Sequence, residues 1–289
     1  MNIKKILVPV VFLDASLRVV HQAAYLARHF QSEIILLHVV TPMGYPAGVL
    51  EGGHEITARD LDAEIVRRAK EDLEHSLRFE FDGIAVRRLL LRGHPASEIA
   101  QTALDENVDL IVMSTHGYGP FHRLLLGSVT AKVLHEAKCP VWTGAHLEEA
   151  PSGDFAIRNI LCAVDFNHGH HTLLQAAQWA GAFGAHLTLA HVTSGVEAYG
   201  PGGFHVVPEW KETLVGYASS EIAKLQQDVG TKAAVIIESG NVPKLLNQVA
   251  ENIKADVLIT GHTTLHGHLG DNGNGYSIIR DVHVPVLSV

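Results

Sequence analysis

The decapeptide IKKILVPVVF at residues 3–12 returns as IRNILCAVDF at 157–166. The correspondence then continues in order. SEIILLHVV (32–40) is answered by AHLTLAHVT (185–193), GHPASEIAQTALDENVDLIVMSTHG (93–117) by GNVPKLLNQVAENIKADVLITGHT (240–263), and AKCPVW (137–142) by VHVPVL (282–287). A chain of 289 residues that repeats at roughly 145–155 residues reads as two copies of one domain, since that period is an ordinary domain size. The boundary falls in HLEEAPSGDFA (146–156), acidic and bearing Pro and Gly as linkers do. This predicts domains at 1–146 and 156–289, each large enough to bury its own core.

Within the first copy, apolar runs at 5–11, 33–40, 84–91, 109–114 and 140–143 alternate with amphipathic stretches. Several runs are continuous, such as Ile34–Ile35–Leu36–Leu37 and Leu110–Ile111–Val112–Met113, as expected of parallel strands covered on both faces. Residues 56–77 place Ile56, Leu61, Ile65, Ala69, Leu73 and Leu77 at helical spacing. Strand–helix alternation predicts an α/β fold: two tandem Rossmann-like domains, each a five-stranded parallel sheet flanked by helices. Ligands in such sheets bind beyond the carboxyl ends of the strands, where the strand order reverses. The final strands, near Val141–Thr143 and Val286–Val289, are candidates for edge-to-edge pairing.

Composition narrows the function classes. Apolar residues at 47% and charged residues at 18% describe a globular protein, and a net charge of −9 argues against a general nucleic-acid face. Cys139 and Cys162 form no CxxC pair, which points away from a disulfide scaffold and towards a reducing cytoplasm. Lys4 and Lys5 before ILVPVVFL resemble the start of a signal peptide, but the same pattern recurs mid-chain as RNILCAVDF, so both are read as strands. No apolar run reaches the ~20 residues of a membrane span.

After the fourth strand of the first half comes STHGYGPFHRLLLGS (114–128), with Gly117, then Gly127–Ser128 before the helical VTAKVLHEA. Glycines let the backbone approach a ligand, Ser128 reads as a helix N-cap, and the unpaired amides of a helix start suit phosphate oxygens. The stretch DLIVMSTHGYGPFHRLLLGSVTAKVLHEAKCPVW, with KKILVPVVF and LLHVV, resembles the universal stress protein family, whose ATP-binding members carry G-x2-G-x9-G-[ST]. The resemblance covers both halves. It implies phosphate and ribose contacts at Gly117, Gly127, Ser128 and Val129, base recognition by backbone near Val39, and an internal pseudo-dimer of the halves with further association of two chains. Ser114 stands where the motif has its first glycine, which a negative φ would allow, and Val11 where the family usually has an aspartate. The expectation is a cytoplasmic stress protein that binds ATP or a related adenine nucleotide in its first domain, with a regulatory role.

The second half keeps the aspartate, Asp165, but GHTTLHGHLGDNGNG (261–275) retains Gly261 and lacks the G-x9-G-[ST] spacing. DNGNGYS is read as a solvated turn into a helix, with an anion-binding turn as the alternative. Its histidines raise another possibility. His168, His170 and His171 follow the first strand of this half, and His262, His266 and His268 its fourth, so both groups belong to neighbouring loops at the switch point. Imidazoles with Asp165 or Asp271 as an oxygen ligand or ring partner would suit Zn²⁺. The alternatives are a pH-responsive cluster, or histidine serving as an ordinary polar loop residue. His29, His38, His75, His135, His186 and His191 lie on elements with no partner evident from sequence.

Catalysis finds little support. The lysine-bearing Walker pattern and an early G-x-G-x-x-G are missing, no EF-hand spacing follows Asp271, and Ser128 is better explained by a helix start than by a triad. Non-enzymatic nucleotide binding, with at most slow incidental ATP hydrolysis, is the leading reading. A zinc-binding protein acting through the second-half histidines is the alternative, and a pure interaction module a third.

Overall fold

The computed structural model describes residues 1–11, 17–42, 58–115, 126–144, 155–166, 169–193, 198–200, 203–205, 208–261 and 274–289. The first half runs β1 (Lys5–Pro9), α1 (Leu17–Phe30), β2 (Glu33–Val40), α2 (Ala58–His75), β3 (Val86–Arg92), α3 (Pro95–Asp105), β4 (Leu110–Met113), α4 (Ser128–Glu136) and β5 (Val141–Thr143). The second runs β6 (Asn159–Ala163), α5 (Gly169–Phe183), β7 (His186–Thr193), β8 (Ala198–Gly200), β9 (Gly203–His205), α6 (Pro208–Val229), β10 (Ala234–Ser239), α7 (Val242–Asn252), β11 (Val257–Thr260), α8 (Asn274–Asp281) and β12 (Val286–Ser288). The expected strands and the helix of 56–77 are present with slightly shifted ends. β3 starts two residues later than expected because Ile84 still belongs to the preceding turn, its N–H donating to the Phe81 carbonyl. The β8–β9 hairpin was not anticipated.

Each half contributes five strands, and the two sets merge into one ten-stranded sheet of order β10-β7-β6-β11-β12-β5-β4-β1-β2-β3. Pairing is parallel within each half and antiparallel at the joint, where Val286, Leu287 and Ser288 of β12 face Thr143, Trp142 and Val141 of β5. Both edge candidates are therefore used within the chain, and β3 and β10 form the outer edges. Because the joint is antiparallel, the carboxyl ends of the first five strands and of the second five lie at opposite ends of the sheet.

The apolar layers of the two halves are continuous with each other. Strand side chains alternate between faces, sending Ile6, Val8, Ile34 and Leu36 to one side and Leu7, Ile35 and Leu37 to the other. On the first side they join Val20 and Leu26 of α1, Leu73 of α2, Leu173 and Trp179 of α5 and Ile222 of α6 in one apolar layer. On the second, Ile99, Val133, Leu246, Val249 and Ile278 of α3, α4, α7 and α8 form the other. Each layer runs through both halves without a break. At the joint, fully buried Trp142 stacks on Trp179 at 5.9 Å and donates its indole N–H to Gln22 Oε1 at 2.8 Å.

The repeat extends to single hydrogen bonds. Asp109 Oδ2 accepts the N–H groups of Lys4 and Lys5 (2.7 and 2.9 Å), and Asp256 Oδ2 those of Arg158 and Asn159 (2.7 and 2.8 Å). Each aspartate thus ties the start of its half's first strand to the strand beside it. The turns after α3 and α7 close on Asn107 and Lys254, both at φ 51°.

A shared core predicts shared unfolding. Urea melts followed by tryptophan fluorescence and by far-ultraviolet circular dichroism should coincide in a single transition. Trp142→Ala should lower stability by about 3–5 kcal/mol without separating the two signals, as expected for emptying an aromatic site in a close-packed core.

Candidate functional site

Strand order reverses between β1 and β4 in the first half and between β6 and β11 in the second. In the first half the start of α4 is fastened over this point. Gly127 N–H donates to the Thr115 carbonyl at 2.9 Å, Thr130 Oγ1 donates to the Ser114 carbonyl at 3.0 Å, and Thr115 Oγ1 donates to the Gly144 carbonyl at 3.4 Å. Thr115 and Gly127 are thus held together, and the first turn of α4 stands at the carboxyl end of β4.

Ser128 is not the helix cap. Gly127 takes that role, with extended φ −58° and ψ 137° and its carbonyl accepting from Ala131 N–H at 2.9 Å. Ser128 is the first helical residue and is exposed, so its hydroxyl and amide lie at the helix start without a capping bond from the cap side chain. Ser114 does not have positive φ, since the non-glycine residues that do are Gln31, Leu77, Asn107 and Lys254 among those described. The substitution of serine for the motif's glycine is therefore unstrained. Val39 and Val129 are half-buried against the second apolar layer. Gly117 lies outside the described residues.

Two histidines that looked unpartnered in sequence are structural and equivalent. His38 Nδ1–H donates to the Val10 carbonyl at 2.8 Å, and His191 Nδ1–H to the Val164 carbonyl at 2.8 Å. A carbonyl only accepts, so each ring carries a proton on Nδ1. The bonds tie the residue after β1 or β6 to the adjacent strand at the mouth of each site. His29 donates Nε2–H to Ala182 of α5 at 3.1 Å and stacks on Phe183 at 4.0 Å, which joins the halves, and His75 Nδ1–H donates to the Glu71 carbonyl at 2.8 Å.

The second half holds a cavity of about 100 Å³ at the carboxyl ends of β6, β7 and β11, lined in part by Ala163, Val164, Asp165, Ala190, His191 and Thr260. The aligned first-half positions are Pro9, Val10, Val11, Leu37, His38 and Met113. Pro9, Leu37 and Met113 are each larger than their counterparts Ala163, Ala190 and Thr260, and Leu37 and Met113 are buried. Outside the lining residues, Phe166 packs on His191 with ring centroids 4.3 Å apart and meets Tyr217 edge-on at 5.9 Å. Sequence reasoning did not find this cavity. The signal was present only as a drop in side-chain size at three aligned positions.

The residues expected to bind metal are placed less favourably. Asp165 is half-buried in the cavity lining, whereas His170 and His171 are exposed on the first turn of α5. Consecutive helical positions diverge by about 100°, so these two rings do not converge. Among the described residues no group of three or more His, Cys, Asp or Glu side chains comes together as a metal site. His168, His262, His266, His268 and Asp271 lie outside the described residues.

The fold is doubly wound α/β, with a helix start held over the switch point of the first half. The comparisons name the family. The universal stress protein family matches residues 2–143 and again 156–289. A universal stress protein of Methanocaldococcus jannaschii is 32% identical over 141 residues, covering 48% of this chain and 79% of that protein. One from Methanothermobacter thermautotrophicus is 35% identical over 144 residues, 48% of this chain and 92% of that protein. The crystal structure of a universal stress protein from Archaeoglobus fulgidus shares the fold over 99% of this chain and 96% of that one, with a TM-score of 0.67 and 23% identity. The chain belongs to the universal stress protein family, as a tandem member with two family units.

Neither cysteine is suited to covalent chemistry. Burial pushes the Cys162 thiol up to about 12, with the Asp165 carboxylate adding to the shift, and burial pushes Cys139 up to about 11. At pH 8 the thiolate fraction of Cys139 is then about one in a thousand, against roughly one in ten for a thiol at its ordinary value of 9.0. A disulfide-exchange reagent at pH 8 should label neither residue in the native protein at an appreciable rate, and both promptly in denaturant.

Proposed function

We propose that the first half binds ATP or a related adenine nucleotide. The Ser128 and Val129 amides take the phosphates, with Gly127 and Gly117 giving close backbone approach, and backbone near Val39 meets the base. The observation that carries this reading is the fastening of the α4 start to the end of β4 through Thr115, Ser114, Gly127 and Thr130. It aims the unpaired amides and positive dipole end of a helix at the switch point without a bulky side chain at the cap. Membership of the universal stress protein family supports the same ligand class and a role in stress response.

We read the role as regulatory rather than catalytic. Val11 stands exposed at the end of β1, where the aligned residue of the second half is Asp165, so this position offers no carboxylate to activate water. Among the described residues no helix is long and apolar enough to cross a membrane.

Calorimetric titration of the whole chain with ATP, ADP and AMP tests the reading. Binding is expected for the wild type, with at most slow phosphate release from ATP. Ser128→Glu puts a negative charge at the phosphate position and should weaken ATP binding by at least roughly tenfold while leaving the melting transition in place. Equal ATP affinity in wild type and variant would place the nucleotide elsewhere.

A further inference from the structure

The joint between β5 and β12 leaves β3 and β10 as the outer edges of the sheet, and the two are chemically unlike. Gly93 and Gly240 follow these strands, both at positive φ (156° and 142°), and donate their N–H groups to the last residues of the neighbouring strands, Val40 and Thr193. This equivalence aligns Arg87 with Ala234, Arg88 with Val235 and Arg92 with Ser239. The arginines of β3 are all anchored: Arg87 to Glu106, Arg88 to the Leu73 carbonyl and Arg92 to Asp62. Charged side chains on an edge strand oppose its pairing with another chain. In β10, AVIIES, all three arginines are gone, and Ile253 stands where Glu106, the partner of Arg87, does in the first half.

The backbone of β10 states what can cover it. Successive residues of a strand turn their N–H and C=O groups to opposite sides. The bond from Gly240 N–H to Thr193 sets the phase, so Ala234, Ile236 and Glu238 turn towards β7 while Val235, Ile237 and Ser239 turn outward. Ala234, Val235 and Glu238 are exposed, Val235 at 39%, whereas Ile236 and Ile237 lie half-buried against the two apolar layers. Outward groups at every second residue, with little charge between them, match an apolar strand of the same spacing. The strand's own copy is one. A twofold axis through Ile236 lets Val235 exchange both backbone bonds with the partner's Ile237, and Ile237 with the partner's Val235. Glu238 then lies opposite the partner's Ala234, and the two Glu238 positions stay four residues, ~13 Å, apart along the ladder. The chain already uses this mode internally, where three residues on each side make the antiparallel β5–β12 joint.

We propose that β10 is a dimerisation edge, at which two copies of this chain pair antiparallel and join their ten-stranded sheets into one. The contact is isologous and closes at two chains. The arginine-bearing edge β3 stays outside it. This inference involves neither switch point and does not depend on nucleotide binding.

Sedimentation equilibrium of the whole chain over a wide range of concentration tests it. The wild type should shift from monomer to dimer as concentration rises, and no larger species should follow. Val235→Arg, which installs the residue aligned in β3 at an exposed position, should raise the dimer dissociation constant at least roughly tenfold with the melting transition retained. Val235→Pro removes an outward N–H without adding charge or touching the β7 ladder, and should have the same effect. Hydrogen exchange of the wild type reads the contact without any variant: the Val235 and Ile237 amides should be protected in the dimer and exchange rapidly on dilution. The proposal is overturned if the protein stays monomeric throughout, if the folded variants dimerise as tightly as the wild type, or if these two amides exchange rapidly in the dimer. A protein that remains monomeric and protects Val235 and Ile237 only when another polypeptide is added would also overturn it, by replacing the second copy with a foreign strand.

Discussion

The antiparallel pairing of β5 with β12 governs the rest of the molecule. Three residues on each side make the ladder, with Trp142 opposite Leu287 at its centre. Two five-stranded sheets have four free edges between them, and this joint buries two of them, which removes the most exposed route to association with other chains. It also places the pseudo-twofold axis normal to the sheet, so that α1 lies on the same face as α5 and α4 on the same face as α8. The consequence is a single body with two continuous apolar layers rather than two beads on a linker. Loss of the Trp142–Trp179 stack therefore disturbs both copies, although each tryptophan belongs to one.

What the copies retain is the frame. Asp109 and Asp256 fix the starts of β1 and β6, and His38 and His191 fix the residues just after their ends, with bond lengths that match to within a tenth of an ångström. None of these bonds depends on the size of the side chains between them. The lining is thus free to diverge while the backbone stays in place, as it has at Pro9/Ala163, Leu37/Ala190 and Met113/Thr260. The copies therefore share a frame and differ in what lines it.

The repeat, the strand count and the parallel character were legible in sequence because strands covered on both faces read as unbroken apolar runs. The shared core was not, since a run such as Ile6–Leu7–Val8 states that both faces are buried but not which half buries them. Gly127–Ser128 is ambiguous in sequence because either residue can start a helix; the cap is settled by the Gly127 carbonyl reaching Ala131 N–H. His38 and His191 looked idle because their partners are carbonyls at the ends of neighbouring strands, 28 and 27 positions away in the chain. The cavity was hidden for a related reason. Alanine and threonine in strands are unremarkable singly, and Ala163, Ala190 and Thr260 meet only after β6, β7 and β11 are laid side by side.

The geometry of the joint also limits how the two sites can influence each other. With carboxyl ends at opposite ends of the sheet, no single small ligand can bridge both switch points. Any coupling has to pass through elements that touch at the axis. On the face that carries α4 and α8, Tyr276 Oη–H donates to the Ala131 carbonyl at 3.3 Å, and the alignment of Pro140 with Pro285 makes these two residues counterparts in the repeat. Tyr276 is thus a half-buried ring laid against the residue it replaces, two positions from Ile278 in the lining of the second-half cavity. Ala131 in turn is the residue whose N–H is received by the cap of α4. A neutral hydrogen bond is worth about 1 kcal/mol net, which allows at most a several-fold effect of one site on the other through this contact. The architecture therefore leaves the two switch points only weakly coupled through this contact.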